Sequence, residues 1–167
     1  MENQRPQRKQ NRLQCFSYSN TGYYFITICA RNKEKLFGTV VGGGALDAPL
    51  VQLSGIGEAL KKYIMSTARI PGVFIDKFVI MPNHLHLILV VDMKAPIDSF
   101  DKESRANERV PHVIGTLKRF VNREVGEAVF QRGYHDHVIR GEKDYQKIWS
   151  YIDDNPRRWK DDCFYTE

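Results

Sequence analysis

Three cysteines in 167 residues, Cys15, Cys29 and Cys163, are too few and too scattered for a disulfide framework, and no CxxC pair offers zinc-finger spacing. That odd, widely spaced set suits a reducing compartment, so a cytoplasmic location is expected. No apolar run approaches the ~20 residues that a membrane-spanning helix needs, and no membrane association is expected. The start of the chain is basic (Arg5, Arg8, Lys9, Arg12) but no apolar stretch follows, so it does not read as a secretory signal. Neither sign of charge dominates: 25 basic against 20 acidic residues leave a formal net charge of +5. That excess favours a polyanionic partner without requiring one.

What is present reads as a single α+β domain over residues 21–160, with a loosely ordered basic arm at 1–20 and a tail at 161–167. Gly22–Ala30 is β-branched and aromatic and apolar on both faces, as in a central strand. Lys35–Val41, the Gly42-Gly43-Gly44 turn and Leu46–Leu53 predict a hairpin excursion. Ser54 can cap a helix whose apolar positions Ile56, Ala59, Leu60, Tyr63, Ile64 and Thr67 keep the 3.6 period. Val73–Ile80 is a strand, and Pro82-Asn83 turns it into another that ends near Val91. Residues 93–110 are charged and aperiodic, as in a loop. Pro111 opens a second helix with Val113, Leu117, Phe120 and Val121 inward and Lys118, Arg119, Asn122 and Arg123 outward. A short strand at His135–Arg140 and a helix over Glu142–Asp154, ended by Asn155-Pro156, complete the chain. Without the hairpin the order is β-α-β-β-α-β plus a C-terminal helix. It predicts a ferredoxin-like or RRM-like antiparallel sheet with two helices on one face.

The strand after Pro82-Asn83 is unusual. Side chains alternate across a strand, so His84 and His86 stand together, about 6.5–7 Å apart at the backbone, while Leu85, Leu87 and Leu89 face the other way. Two imidazoles so placed can share one metal ion. Taken alone they read equally well as partly exposed histidines on an amphipathic strand. The last helix tips the balance, because Tyr151 and Asn155, four apart, project from one helical face. Two imidazoles and an amide oxygen form an incomplete, partly hard ligand set without thiolates. Such a set suits Mg²⁺ or Mn²⁺ bridging to a phosphate rather than structural zinc. A phenol beside such a cation is a candidate nucleophile toward a nucleic-acid backbone.

These segments resemble the single-tyrosine HUH transposases, insertion-sequence IS200-like, and most of all the REP-associated tyrosine transposases. The resemblance rests on Tyr24–Cys29 with Leu36–Gly38, Phe78–His86, Phe130–Arg140 and Tyr151–Trp159, in the family's order. It implies that His84 and His86 bind a divalent ion, with Asn155 where related enzymes place a glutamine as third ligand. It implies that Tyr151 attacks single-stranded, hairpin-bearing DNA to give a 5′-phosphotyrosine link and a free 3′-OH. It further implies strand transfer, carried out by a monomer or by a homodimer.

Other residues have blander readings. Asp153 and Asp154, beside the nucleophile, face solvent more readily than a metal. His135 reads as surface and His137 as a possible neighbour of the site; His112 is a helix-start residue. Tyr145 points about a quarter-turn from Asn155 and reads as core; Trp159 reads as a docking anchor. Lys118, Arg119 and Arg123, with Arg140, Arg157 and Arg158, are candidate phosphate contacts, although a charged helix face is usually just solvated. Two alternatives stay open: an RRM-like nucleic-acid-binding module without chemistry, and a metal-dependent phosphodiester hydrolase in which water attacks.

Overall fold

A computed structural model of the chain describes residues 21–43, 48–92 and 109–166. The expected basic arm at 1–20, most of the charged loop, and the hairpin tip at 44–47 lie outside the described residues. Among the described residues, six strands and three α-helices follow in the order β1 (Gly22–Cys29), β2 (Gly38–Val41), β3 (Leu50–Leu53), α1 (Gly55–Ser66), β4 (Val73–Ile80), β5 (His84–Val91), α2 (Arg109–Val125), β6 (His135–Ile139) and α3 (Glu142–Asp154). The main sheet is antiparallel with strand order β4-β5-β1-β6, and β2 and β3 pair apart from it. With the hairpin set aside, this is the ferredoxin-like topology that the sequence predicts. No helix of the described residues is long and apolar enough to cross a membrane.

The strand register sorts residues by face. Leu85, Leu87, Leu89 and Val91 lie beside Tyr24, Ile26 and Ile28, and α1 and α2 cover them with Leu60, Ile64, Val113, Ile114, Leu117 and Val121. Burying each such aliphatic side chain stabilises the fold by about 1.5–3 kcal/mol, so this layer holds β5 in place. The opposite face carries His84, His86, Ile88 and Val90 beside Cys29, Thr27, Phe25 and Tyr23. Helix α3 covers its far half by packing Ile148 and Ile152 on Ile88 and Val90.

Local chemistry sets the ends. Ser54 caps α1: its Oγ accepts from Gly57 N–H at 3.1 Å and donates to the Leu36 carbonyl at 2.6 Å, tying the hairpin to the helix. At the start of α3, the Asp144 carboxylate accepts from Arg140 N–H at 3.0 Å and from His137 Nε2 at 2.8 Å. The Pro82-Asn83 turn is held by Ala30 N–H on the Asn83 carbonyl and Phe37 N–H on the Pro82 carbonyl, each at 2.8 Å.

Two side chains of α2 depart from expectation. Phe120, expected inward, is 39% exposed and stacks on Tyr63 of α1 at 5.5 Å between ring centroids. The apolar stripe centres on Val113, Leu117 and Val121, which leaves Phe120 at the helix–helix margin. Lys118, expected outward, donates to the carbonyls of Gln131 and Gly133 at 2.8 and 2.5 Å. Its stem passes the Phe130 ring and burial pushes its ammonium down to about 8.

Candidate active site

β5 is buried along its whole length, including His84 at 0% and His86 at 1% exposure, so these are not the partly exposed histidines of the blander reading. Each ring is oriented by a hydrogen bond at Nδ1. His84 Nδ1 lies 2.9 Å from Asn83 Oδ1, an acceptor, which assigns the proton to Nδ1 and leaves a bare lone pair on Nε2. His86 Nδ1 lies 2.8 Å from Thr27 Oγ1 on the neighbouring strand. The ring centroids are 4.4 Å apart. Burial pushes the His84 imidazole down to about 4 despite the opposing charge of Asp162. Burial, and then the adjacent His84, pushes His86 well below the usual histidine range. Both are therefore neutral at pH 7, the form in which an imidazole binds a metal.

Helix α3 delivers the other groups. Ile148 and Ile152 seat it on the sheet, and Tyr151 and Asn155 each lie three residues beyond one of these anchors, on the inward side. The Tyr151 hydroxyl lies 3.2 Å from His86 Nε2 and 3.4 Å from Asp162 Oδ2, and its ring packs edge-on against Phe25 and His86. Burial and the Asp162 charge push the Tyr151 phenol up to about 12, so it is protonated at neutral pH. Asn155 is 1% exposed and donates from Nδ2 to Asp162 at 3.0 Å.

Asp162, seven residues past Asn155, carries no motif that sequence reasoning could use, yet it reaches the centre of this group. The ligand-capable atoms of His84, His86 and Asp162 all lie within 4.8 Å of one another. Two buried atoms beside them, His84 Nε2 and Asn155 Oδ1, have no hydrogen-bond partner. A buried polar atom without a partner costs about 1–3 kcal/mol, and two acceptor atoms beside one carboxylate point to a cation that they would share. Two neutral imidazoles, an amide oxygen and a carboxylate fit a divalent ion of the Mg²⁺ or Mn²⁺ kind.

The remaining candidates are dispersed. His137 pairs with Asp144, and Tyr145 donates to Asp76 at 2.6 Å and packs on Tyr23, toward the end of the sheet away from His84. Asp153 is paired with Lys77, and His135 is exposed on the edge strand. Trp159 is 8% exposed and lies 6.0 Å from the His84 ring, a docking position rather than an open stacking platform. Arg119 and Arg123 are exposed on α2, across the sheet from the histidines, and Lys118 is committed to carbonyls. Arg140, Arg157 and Arg158 are exposed at the two ends of α3, on the histidine side. Thr27, Asp162 and Phe164 were not among the sequence candidates.

No protein-family model matches the chain. An uncharacterized protein of Haemophilus influenzae is 35% identical over 96% of this chain and 94% of its own length. Among solved structures, a REP-associated tyrosine transposase bound to a REP hairpin superposes with a TM-score of 0.58 and 21% identity. It covers 89% of this chain and 74% of that one.

Proposed function

We propose that this chain, which belongs to one family with the Haemophilus influenzae protein and has the fold of a REP-associated tyrosine transposase, is a transposase-type enzyme that nicks single-stranded, hairpin-bearing DNA and transfers the cut strand. The observation that carries this reading is the Tyr151 hydroxyl 3.2 Å from His86 Nε2, in a group that also holds two buried atoms without a hydrogen-bond partner, His84 Nε2 and Asn155 Oδ1. A catalytic phenol and a metal-ready donor set within hydrogen-bond reach of each other suit phosphodiester chemistry better than binding alone.

In this reading His84, His86 and Asn155 hold the divalent ion. When bound, that ion supplies charge stabilisation to a phosphodiester, which the neutral ligands by themselves do not. Tyr151 is the nucleophile. Its oxygen forms the new bond to phosphorus while the bond from phosphorus to the 3′ oxygen breaks. The products are a 5′-phosphotyrosine and a 3′-OH that gains the phenolic proton. Phe25 and the helix seat of Ile148 and Ile152 fix the direction of the Tyr151 ring. Thr27 and Asn83 fix the histidine rings. Arg140, Arg157 and Arg158, all exposed, are the cations this reading assigns to backbone phosphates. The catalytic unit of this reading begins at residue 21 and runs past residue 160 to include Asp162.

Incubating the protein with a hairpin-bearing single-stranded oligonucleotide and Mn²⁺ tests this. A covalent protein–DNA band on a denaturing gel, absent in Tyr151→Phe, is expected. Binding without any adduct would instead favour a recognition module, and cleavage that persists in Tyr151→Phe would favour hydrolysis by water.

A further inference from the structure

We infer that the segment following α3 is part of the metal site itself, with the Asp162 carboxylate serving as its anionic ligand. The inference rests on the metal reading given above and extends it to a residue outside both sequence motifs.

Four observations converge. The Asp162 side chain is only 2% exposed, and its Oδ2 lies 3.9 Å from His84 Nε2. That histidine is the one ion-pair partner the described residues provide. A buried carboxylate without a cation is costly, so its position beside two metal-ready imidazoles calls for a positive charge. Next, His84 Nε2 and Asn155 Oδ1 are both buried and unpartnered, in side chains that each approach the same carboxylate oxygen. Further, Asp162 is held firmly: its Oδ1 accepts from Phe164 N–H at 2.7 Å and its Oδ2 from Asn155 Nδ2 at 3.0 Å.

Finally, the segment is docked by the residue that also orients the first histidine. Asn83 donates from Nδ2 to the Phe164 carbonyl at 2.7 Å while its Oδ1 holds His84 Nδ1. The Phe164 ring lies 4.7 Å from the His84 ring and 5.7 Å from the His86 ring, and the Trp159 ring lies 6.0 Å from the His84 ring. One asparagine thus ties metal-ligand orientation to the docking of the segment. A carboxylate adds the negative charge that the neutral donors lack and keeps the set suited to hard cations. Ion binding and docking of residues 159–166 then stabilise each other by linkage.

The test uses the full chain and MnCl₂ alone, with affinity from calorimetry and protection of residues 159–166 from hydrogen exchange. Asp162→Asn should weaken Mn²⁺ binding about tenfold or more, Asp162→Glu should recover part of the loss, and Asp161→Asn, an equal charge change on an exposed neighbour, should have no effect. Mn²⁺ should slow exchange in 159–166 of the parent protein. Mn²⁺ affinity within about threefold of the parent in Asp162→Asn, or tighter, overturns the inference, as does an unaltered exchange rate in the parent; the second readout stands even where the variant folds poorly. His84→Ala separates the two levels. Affinity lost there but kept in Asp162→Asn overturns this inference alone, whereas affinity kept in both overturns the metal reading as well.

Discussion

Thr27→Val isolates the support of one histidine from the histidine itself. Thr27 sits in the middle of β1, 4% exposed, with its Oγ1 2.8 Å from His86 Nδ1. Valine has nearly the same shape and an equal liking for a strand, so the backbone and the local packing are preserved. Only the hydroxyl is lost. His86, 1% exposed, then has two options, both unfavourable. In the tautomer that leaves Nε2 bare for a metal, the Nδ1 proton is then buried without an acceptor, which costs about 1–3 kcal/mol. If it moves to Nε2, it can donate to the Tyr151 hydroxyl at 3.2 Å, but it then blocks the lone pair that a metal requires. Either route penalises the metal-bound state, and loss of such an outer partner typically lowers metal affinity about 10- to 100-fold. Urea unfolding should show a loss of up to about 3 kcal/mol, and Mn²⁺ titration should show the weakened affinity. A Thr27→Val protein that binds Mn²⁺ as tightly as its parent and unfolds at the same urea concentration would refute this account of His86.

Acidification of the metal-free protein gives a second prediction. The folded pKa of His84 lies below its unfolded value, so the unfolded chain binds the extra proton first and stability falls as pH drops from about 6.5 to about 4. That gap corresponds to about 3 kcal/mol, with His86 adding to it in the same direction, and His84→Gln should flatten a plot of urea-derived stability against pH over this window. Leu85, fully buried between the two histidines but on the opposite face, should cost about 2–5 kcal/mol as Leu85→Ala in thermal or urea unfolding. A loss below about 1 kcal/mol would mean that the core on the α1–α2 side does not anchor the histidine strand.

Much of the fold was legible because its elements carry strong periodic signals. Val73–Ile80, His84–Val91 and Glu142–Asp154 form as the alternation and the 3.6 period predict, and Ser54 caps its helix as its hydroxyl and position suggest. The misreadings on α2 have one cause. Helical periodicity gives the direction of a side chain but not what stands beside it. Tyr63 on the neighbouring helix gives Phe120 a partner at the margin, and the carbonyls of Gln131 and Gly133 draw Lys118 in from the surface.

Within the site the division is equally physical. His84 and His86 share a face because strand geometry is local, and Tyr151 and Asn155 share one because helix geometry is local. Sequence by itself determined both pairs. It could not bring them together, because the distance between α3 and β5 depends on Ile148 and Ile152 meeting Ile88 and Val90, a contact between residues far apart in the chain. Nor could it find Thr27 or Asp162. Thr27 reaches His86 only through the β1–β5 register, and Asp162 reaches His84 only because Asn83 and the rings of Trp159 and Phe164 fold its segment back onto the sheet. Local spacing chose the candidate ligands and the candidate nucleophile; tertiary packing alone decided that they meet, what orients them, and where the negative charge lies.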